Sequence, residues 1–301
     1  MHVWCLENIG VDKMDKVIKK NLIDSYQVDG GFIVHDCKML ERIFKAYGID
    51  PKASTDRRIF DLEGIVHFFQ QGVIDLFKRL DITKDDYVLS LGEGSGAPSR
   101  LLVKLIGCRI VGVDINPDQV IKAKECAMLH GVQDKVEYYE QNVEELSLPK
   151  TDFTKAFCNE TTCHWQDKEK AFGRIVAHLK KGAKIGFNEW LKGGKGTLND
   201  AYNIVPGFMP LYKNGIWFQE SLDTYKKLLE KTGFNILEMK DCTDKIDIRI
   251  RAKLKGNQSE WASYVSIMGD KAMEIGLNYY KGMLATHYDF LRYGVIIAEK
   301  R

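Results

Sequence analysis

Residues 88–100 read Val88-Leu89-Ser90-Leu91-Gly92-Glu93-Gly94-Ser95-Gly96-Ala97-Pro98-Ser99-Arg100, an apolar strand running directly into a glycine-rich turn. Eighteen residues past Gly96, a second apolar run, Ile110-Val111-Gly112-Val113, ends in Asp114. Together they describe a nucleotide-type pocket at the carboxyl end of a parallel sheet. Glycines let the backbone approach a ligand closely, and an acid closing the second strand can hold ribose hydroxyls. Gly92, Gly94 and Ala97 also fit the dinucleotide fingerprint, so the turn by itself leaves the nucleotide open.

Outward from this turn the chain alternates strand and helix. Strands are expected at 87–91, 109–114, 136–141, 153–159 and 183–189, with helices at 99–106, 117–130 and 168–179. Pro117 suits a first helical turn, where its missing N–H has no partner to lose. A helix at 221–231, a strand at 235–241, a mostly helical stretch at 245–286 and an apolar strand at 294–298 complete the pattern. This predicts an α/β fold: a doubly wound, mostly parallel seven-stranded sheet covered on both faces.

Two segments break the rhythm. Residues 1–80 carry apolar residues at helical spacing over 14–22, 37–47 and 62–80, and read as a helical cap or substrate lid preceding a core of 81–301. Residues 191–219 mix glycines with Tyr202, Phe208, Tyr212, Trp217 and Phe218, and read as an inserted lid. A loop this long in a compact domain usually serves function.

Composition narrows the partners. A net charge of +2 with no long basic run gives no nucleic-acid footprint, and 45% hydrophobic content is ordinary for a globular protein. Seven cysteines, odd in number and without a C-x-x-C pair, show neither a disulfide framework nor a metal site. No apolar run reaches the ~18 residues of a spanning helix. The expectation is a soluble, reduced, cytoplasmic protein without stable membrane insertion, acting on a small molecule, its oligomeric state left open with a homodimer as one option.

The order of features resembles the class I S-adenosylmethionine methyltransferases: strand, glycine turn and helix, then Asp114, Leu148-Pro149, His178-Leu179-Lys180-Lys181-Gly182 and Gly233-Phe234. In that family the glycine turn faces the methionine part of the cofactor and the second-strand acid binds its ribose. The resemblance therefore implies a cofactor site formed by Gly92, Glu93, Gly94, Gly96, Asp114, Ile115, Asn142, Val143 and Asn159. Many members carry an acid at the adenine amine where Asn142 stands; an amide also bonds there.

Within the family, Asn159-Glu160-Thr161-Thr162-Cys163-His164-Trp165 followed by Asn188-Glu189-Trp190 resembles the sterol C-methyltransferases. Tocopherol, phosphoethanolamine, sarcosine and isoprenoid methyltransferases are relatives. The sterol enzymes' upstream aromatic- and glycine-rich segment is replaced here by Asp61-Leu62-Glu63-Gly64-Ile65-Val66-His67-Phe68-Phe69. The resemblance implies carbon methylation of an isoprenoid- or sterol-like acceptor. The alternatives are a small amine or hydroxyl acceptor and, more remotely, an NAD-dependent oxidoreductase.

Candidate catalytic residues are Glu160 and Glu189 at strand ends, His164 beside them, and His287 as a base. An alkene acceptor generates a carbocation, which carboxylates and aromatic faces stabilise. Candidate substrate-wall residues are Tyr26, His35, His67, Phe68, Tyr202 and Trp217. Phe69, Tyr279, Tyr280 and Tyr288 are weaker candidates, because aromatics at helical spacing usually pack in a core.

Overall fold

The computed structural model describes residues 11–25, 37–53, 70–202, 215–255 and 270–301. A seven-stranded sheet forms its centre, in the order β3-β2-β1-β4-β5-β7-β6. The strands are β1 (Tyr87–Leu91), β2 (Arg109–Asp114), β3 (Val136–Glu140), β4 (Phe153–Asn159), β5 (Leu179–Lys192), β6 (Phe234–Asp241) and β7 (Leu291–Lys300). Neighbours from β3 to β5 pair in parallel, while β7 runs antiparallel to both β5 and β6. This is the expected doubly wound sheet, and its reversal of strand order beside β1 opens the crevice where such folds bind ligands.

Nine helices of at least ten residues lie among the described residues: α1 (Val11–Ser25), α2 (Cys37–Ala46), α3 (Gln70–Arg79), α4 (Ala97–Ile106), α5 (Pro117–Leu129), α6 (Lys168–His178), α8 (Leu222–Thr232), α9 (Thr243–Lys255) and α10 (Asp270–Thr286), with the short α7 (Leu198–Ala201) besides.

 

Helices α2 to α5 cover one face of the sheet, and α6 and α8 cover the other. On the first face, Leu40, Ile43 and Phe44 of α2 and Val73, Leu76 and Phe77 of α3 join one apolar cluster with Val88, Ile110 and Phe157 of the strands. The boundary expected at residue 80 therefore does not divide two cores. Amphipathic helices bury their apolar stripe on the nearest apolar layer, and here that layer is the sheet itself. Of the expected cap, α1 lies apart from that cluster: its Leu22 packs against a third cluster containing Trp190, Trp217, Tyr280 and Tyr293. Residues 54–69, with the Asp61–Phe69 replacement segment, lie outside the described residues.

Strand β5 is longer than the expected 183–189. It starts at Leu179, which pairs with Phe153, and the register shifts before Lys155 pairs with Lys184. The 191–219 insertion gives its first two residues to β5 and forms α7. Its middle, 203–214, lies outside the described residues.

Candidate active site

Strands β1 and β4 lie side by side, so the glycine turn after β1 meets the loop after β4. Gly92 has φ +67°, and a Cβ there would fall 2.1 Å from Cγ2 of Thr161. Only glycine allows both that backbone conformation and that approach. The Thr161 hydroxyl donates to the Gly92 carbonyl at 3.2 Å, tying the two loops. Glu160 is thereby fixed one residue from the glycine turn.

The glycine turn and β2 form a cradle. The Gly94 N–H donates to Asp114 Oδ2 at 2.8 Å, and the Asn116 N–H donates to Oδ1 at 2.9 Å. Burial raises the Asp114 carboxyl, while these backbone donors pull it back. A Cβ on Gly94 would meet nothing within 4 Å, so that face of the turn is open to a ligand. Ile115 is half-buried beside Asp114. Asn142 accepts from the Glu144 N–H at 3.1 Å and caps the short helical turn Val143–Glu145. Asn159 accepts from the Asn188 amide at 3.0 Å, a bond between register partners of β4 and β5.

Glu93 differs from the expectation. Its carboxylate turns inward and accepts from the Ser99 N–H at 3.1 Å, at the start of α4. Burial pushes it up to about 7. It supports the turn from beneath and does not line the cradle.

The two strand-end acids part company. Glu160 has φ +59°, a left-handed conformation costly for a residue with a Cβ. Its N–H continues the ladder to the Asn188 carbonyl at 2.7 Å, and its Oε1 accepts from the Tyr293 hydroxyl at 2.9 Å. Desolvation drives its carboxyl up to about 8, opposed by hydrogen bonds from Tyr293 and Trp190 and reinforced by Glu189. The residue is nevertheless only half-buried.

Glu189 is fully buried, at 0% exposure. Its carboxylate accepts from the N–H groups of Thr162 (2.7 Å), Cys163 (3.3 Å) and Trp190 (2.9 Å). Those oxygens accept backbone N–H groups on both sides, so Glu189 holds the 160–163 loop in place.

His164 is buried and its Nδ1–H donates to the Ile216 carbonyl at 2.9 Å. Burial lowers it to about 4, so it is neutral near pH 7. Its ring lies 4.7 Å from that of Trp217. Trp217 is itself buried in the third apolar cluster, which places it in a core and not on an open substrate wall. Tyr202 is half-buried at the end of α7. Tyr280 is buried in the same cluster as Trp217. His287 bonds Asp247 at 3.2 Å, and Asp247 also pairs with Arg251. None of the contacts described for His287 reaches Glu160. Tyr26, His35, His67, Phe68 and Phe69 lie outside the described residues.

Sequence reasoning missed the residues that brace this site. Lys168 donates to the carbonyls of Trp165 (2.8 Å) and Phe218, and Gln219 bonds both Leu198 N–H and the Leu191 carbonyl. Asn199 accepts from the Gly215 N–H at 2.9 Å and donates to the Trp217 carbonyl at 2.7 Å. The two flanks of 203–214 are thus stapled together and onto the 160–168 loop. Polar residues among apolar neighbours were the available signal.

A family model described as a methyltransferase domain matches residues 89–187, the stretch from β1 to β5 that carries the cradle and Glu160. Sterol 24-C-methyltransferase from Eremothecium gossypii is 32% identical over 57% of this chain and 46% of that protein. The chain spans about half the length of the curated relatives it matches. Phosphoethanolamine N-methyltransferase 2 from Haemonchus contortus superposes with a TM-score of 0.65 at 20% identity, covering 76% of this chain and 52% of that one. Geranyl diphosphate C-methyltransferase from Streptomyces coelicolor gives 0.63 at 14% identity, covering 94% and 98%. The chain thus shares its fold with these methyltransferases, and β6 and β7 complete the sheet that residues 89–187 begin.

Proposed function

We propose that the protein is an S-adenosylmethionine-dependent methyltransferase that methylates carbon in an isoprenoid- or sterol-like small molecule. The observation that carries this reading is Glu160: a reachable, desolvated carboxyl one residue from the Thr161–Gly92 contact, where the glycine turn meets β4. The likeness to sterol 24-C-methyltransferases supports the acceptor class.

The residues present fit the cofactor. The open face of Gly94 would admit the methionine part, Asp114 would accept the ribose hydroxyls, and Ile115 and Asn142 would flank the adenine. The bound cofactor supplies an activated methyl on a sulfonium. The protein's task is then to align an acceptor behind that methyl and exclude water. Adding a methyl cation to an alkene leaves a carbocation on the acceptor. Glu160 stabilises that charge and takes up the proton whose loss restores a double bond. An amine acceptor would use the same carboxyl to remove its own proton, and is the second reading.

We assign the protein to the cytoplasm. Six described cysteines are free, five of them buried, and no helix among the described residues is long and apolar enough to cross a membrane. The test is methyl transfer from labelled S-adenosylmethionine to a panel of side-chain-unsaturated sterols, geranyl diphosphate and phosphoethanolamine. Labelled sterol or prenyl product supports carbon methylation; label only in the amine moves the reading to nitrogen; no S-adenosylhomocysteine binding by calorimetry removes it.

A further inference from the structure

Trp190 and Tyr293 are direct register partners on β5 and β7. Their rings stand 4.9 Å apart at 77°, edge to face, and both residues are buried. Adjacent residues on antiparallel strands present their side chains to the same face of the sheet. Here that shared face is turned toward the end of β4, where Glu160 sits in its left-handed conformation. The Tyr293 hydroxyl donates to Glu160 Oε1 at 2.9 Å, and the Trp190 side chain is a second hydrogen-bond partner of the same carboxyl. Indole N–H is a donor only, so Trp190 donates as well.

We infer that Trp190 and Tyr293 are positioning residues: a two-donor fork that fixes the Glu160 carboxyl toward the acceptor. This inference rests on the proposed role of Glu160. Desolvation and the neighbouring Glu189 work to keep the carboxyl protonated, whereas the two donors favour its anion. Without the fork, the carboxyl would ionise only at a still higher pH. The groups around Tyr293 are Glu160, Glu189 on β5 and Cys242 beyond β6, with the Cys163 thiol on the loop after β4 and Lys168 of α6 facing Glu189. None of the others donates to Glu160 in the way Tyr293 does.

The test needs no acceptor. Carboxyl resonances of glutamate labelled with carbon-13 at Cδ are titrated in the full chain, and Glu160→Gln identifies the Glu160 signal by its disappearance. Tyr293→Phe, which keeps the ring and its packing, should move the Glu160 midpoint up by about one pH unit, the worth of one hydrogen bond to a charged group. Trp190→Phe should move it in the same direction. S-adenosylhomocysteine affinity, read by calorimetry, should stay at the wild-type value in both. An unchanged midpoint in both folded variants overturns the fork while leaving the role of Glu160 standing. A Glu160→Gln variant as active as wild type on the acceptor found by the panel overturns that role instead.

Discussion

At the residue scale, Glu160 concentrates the cost and the chemistry of the site. Its folded carboxyl titrates at about 8 against a reference of 4.5. A raised acid binds its proton more tightly folded than unfolded, so its contribution to stability is fully present below the unfolded value and is lost as pH rises through the folded one. Glu160→Gln should therefore raise the melting temperature more at pH 9 than at pH 6, while lowering turnover by roughly 100-fold or more, as expected for loss of a general base. Asp114→Ala should weaken S-adenosylhomocysteine binding by about tenfold or more, because it removes a hydrogen-bonded charge; unaltered affinity would sink the ribose assignment. The placement of the glycine turn, Asp114 and Glu160 at strand ends was legible in the sequence because each belongs to a contiguous motif. The roles of Glu93 and Glu189 were not, since a strand-end acid looks the same whether it faces the crevice or caps backbone N–H groups. Tyr293 lies 133 residues from Glu160, and only the pairing of β5 with β7 brings them together.

At the element scale, α2 is the test of where the core ends. Phe44 is buried in the cluster shared with the strands and stacks edge-on against His130 of the turn after α5. Phe44→Ala should cost roughly 3–5 kcal/mol of global stability, measured by denaturant unfolding. A detached cap would give instead a separate early transition with the main one unmoved. The helical periodicity of 37–47 was readable, but periodicity reports that a face is apolar and not what covers it. The stapled flanks of the insertion make a second element-scale prediction. Gln219→Ala removes bonds to both Leu198 and Leu191, and should loosen 215–219, seen as faster amide hydrogen exchange there than at β1.

At the scale of the whole molecule, the strand order decides when the site is complete. Strand β6 meets the sheet only through β7, and β7 also delivers the Tyr293 hydroxyl to Glu160. A ribosome nevertheless releases β6 some fifty residues ahead of β7 (241 against 291). Until that strand threads between its two antiparallel neighbours, β5 keeps a bare edge and Glu160 lacks the Tyr293 donor. The glycine cradle, built from strands made earlier, has no such dependence. Nascent chains would thus acquire the ability to hold a nucleotide before they acquire the ability to use it.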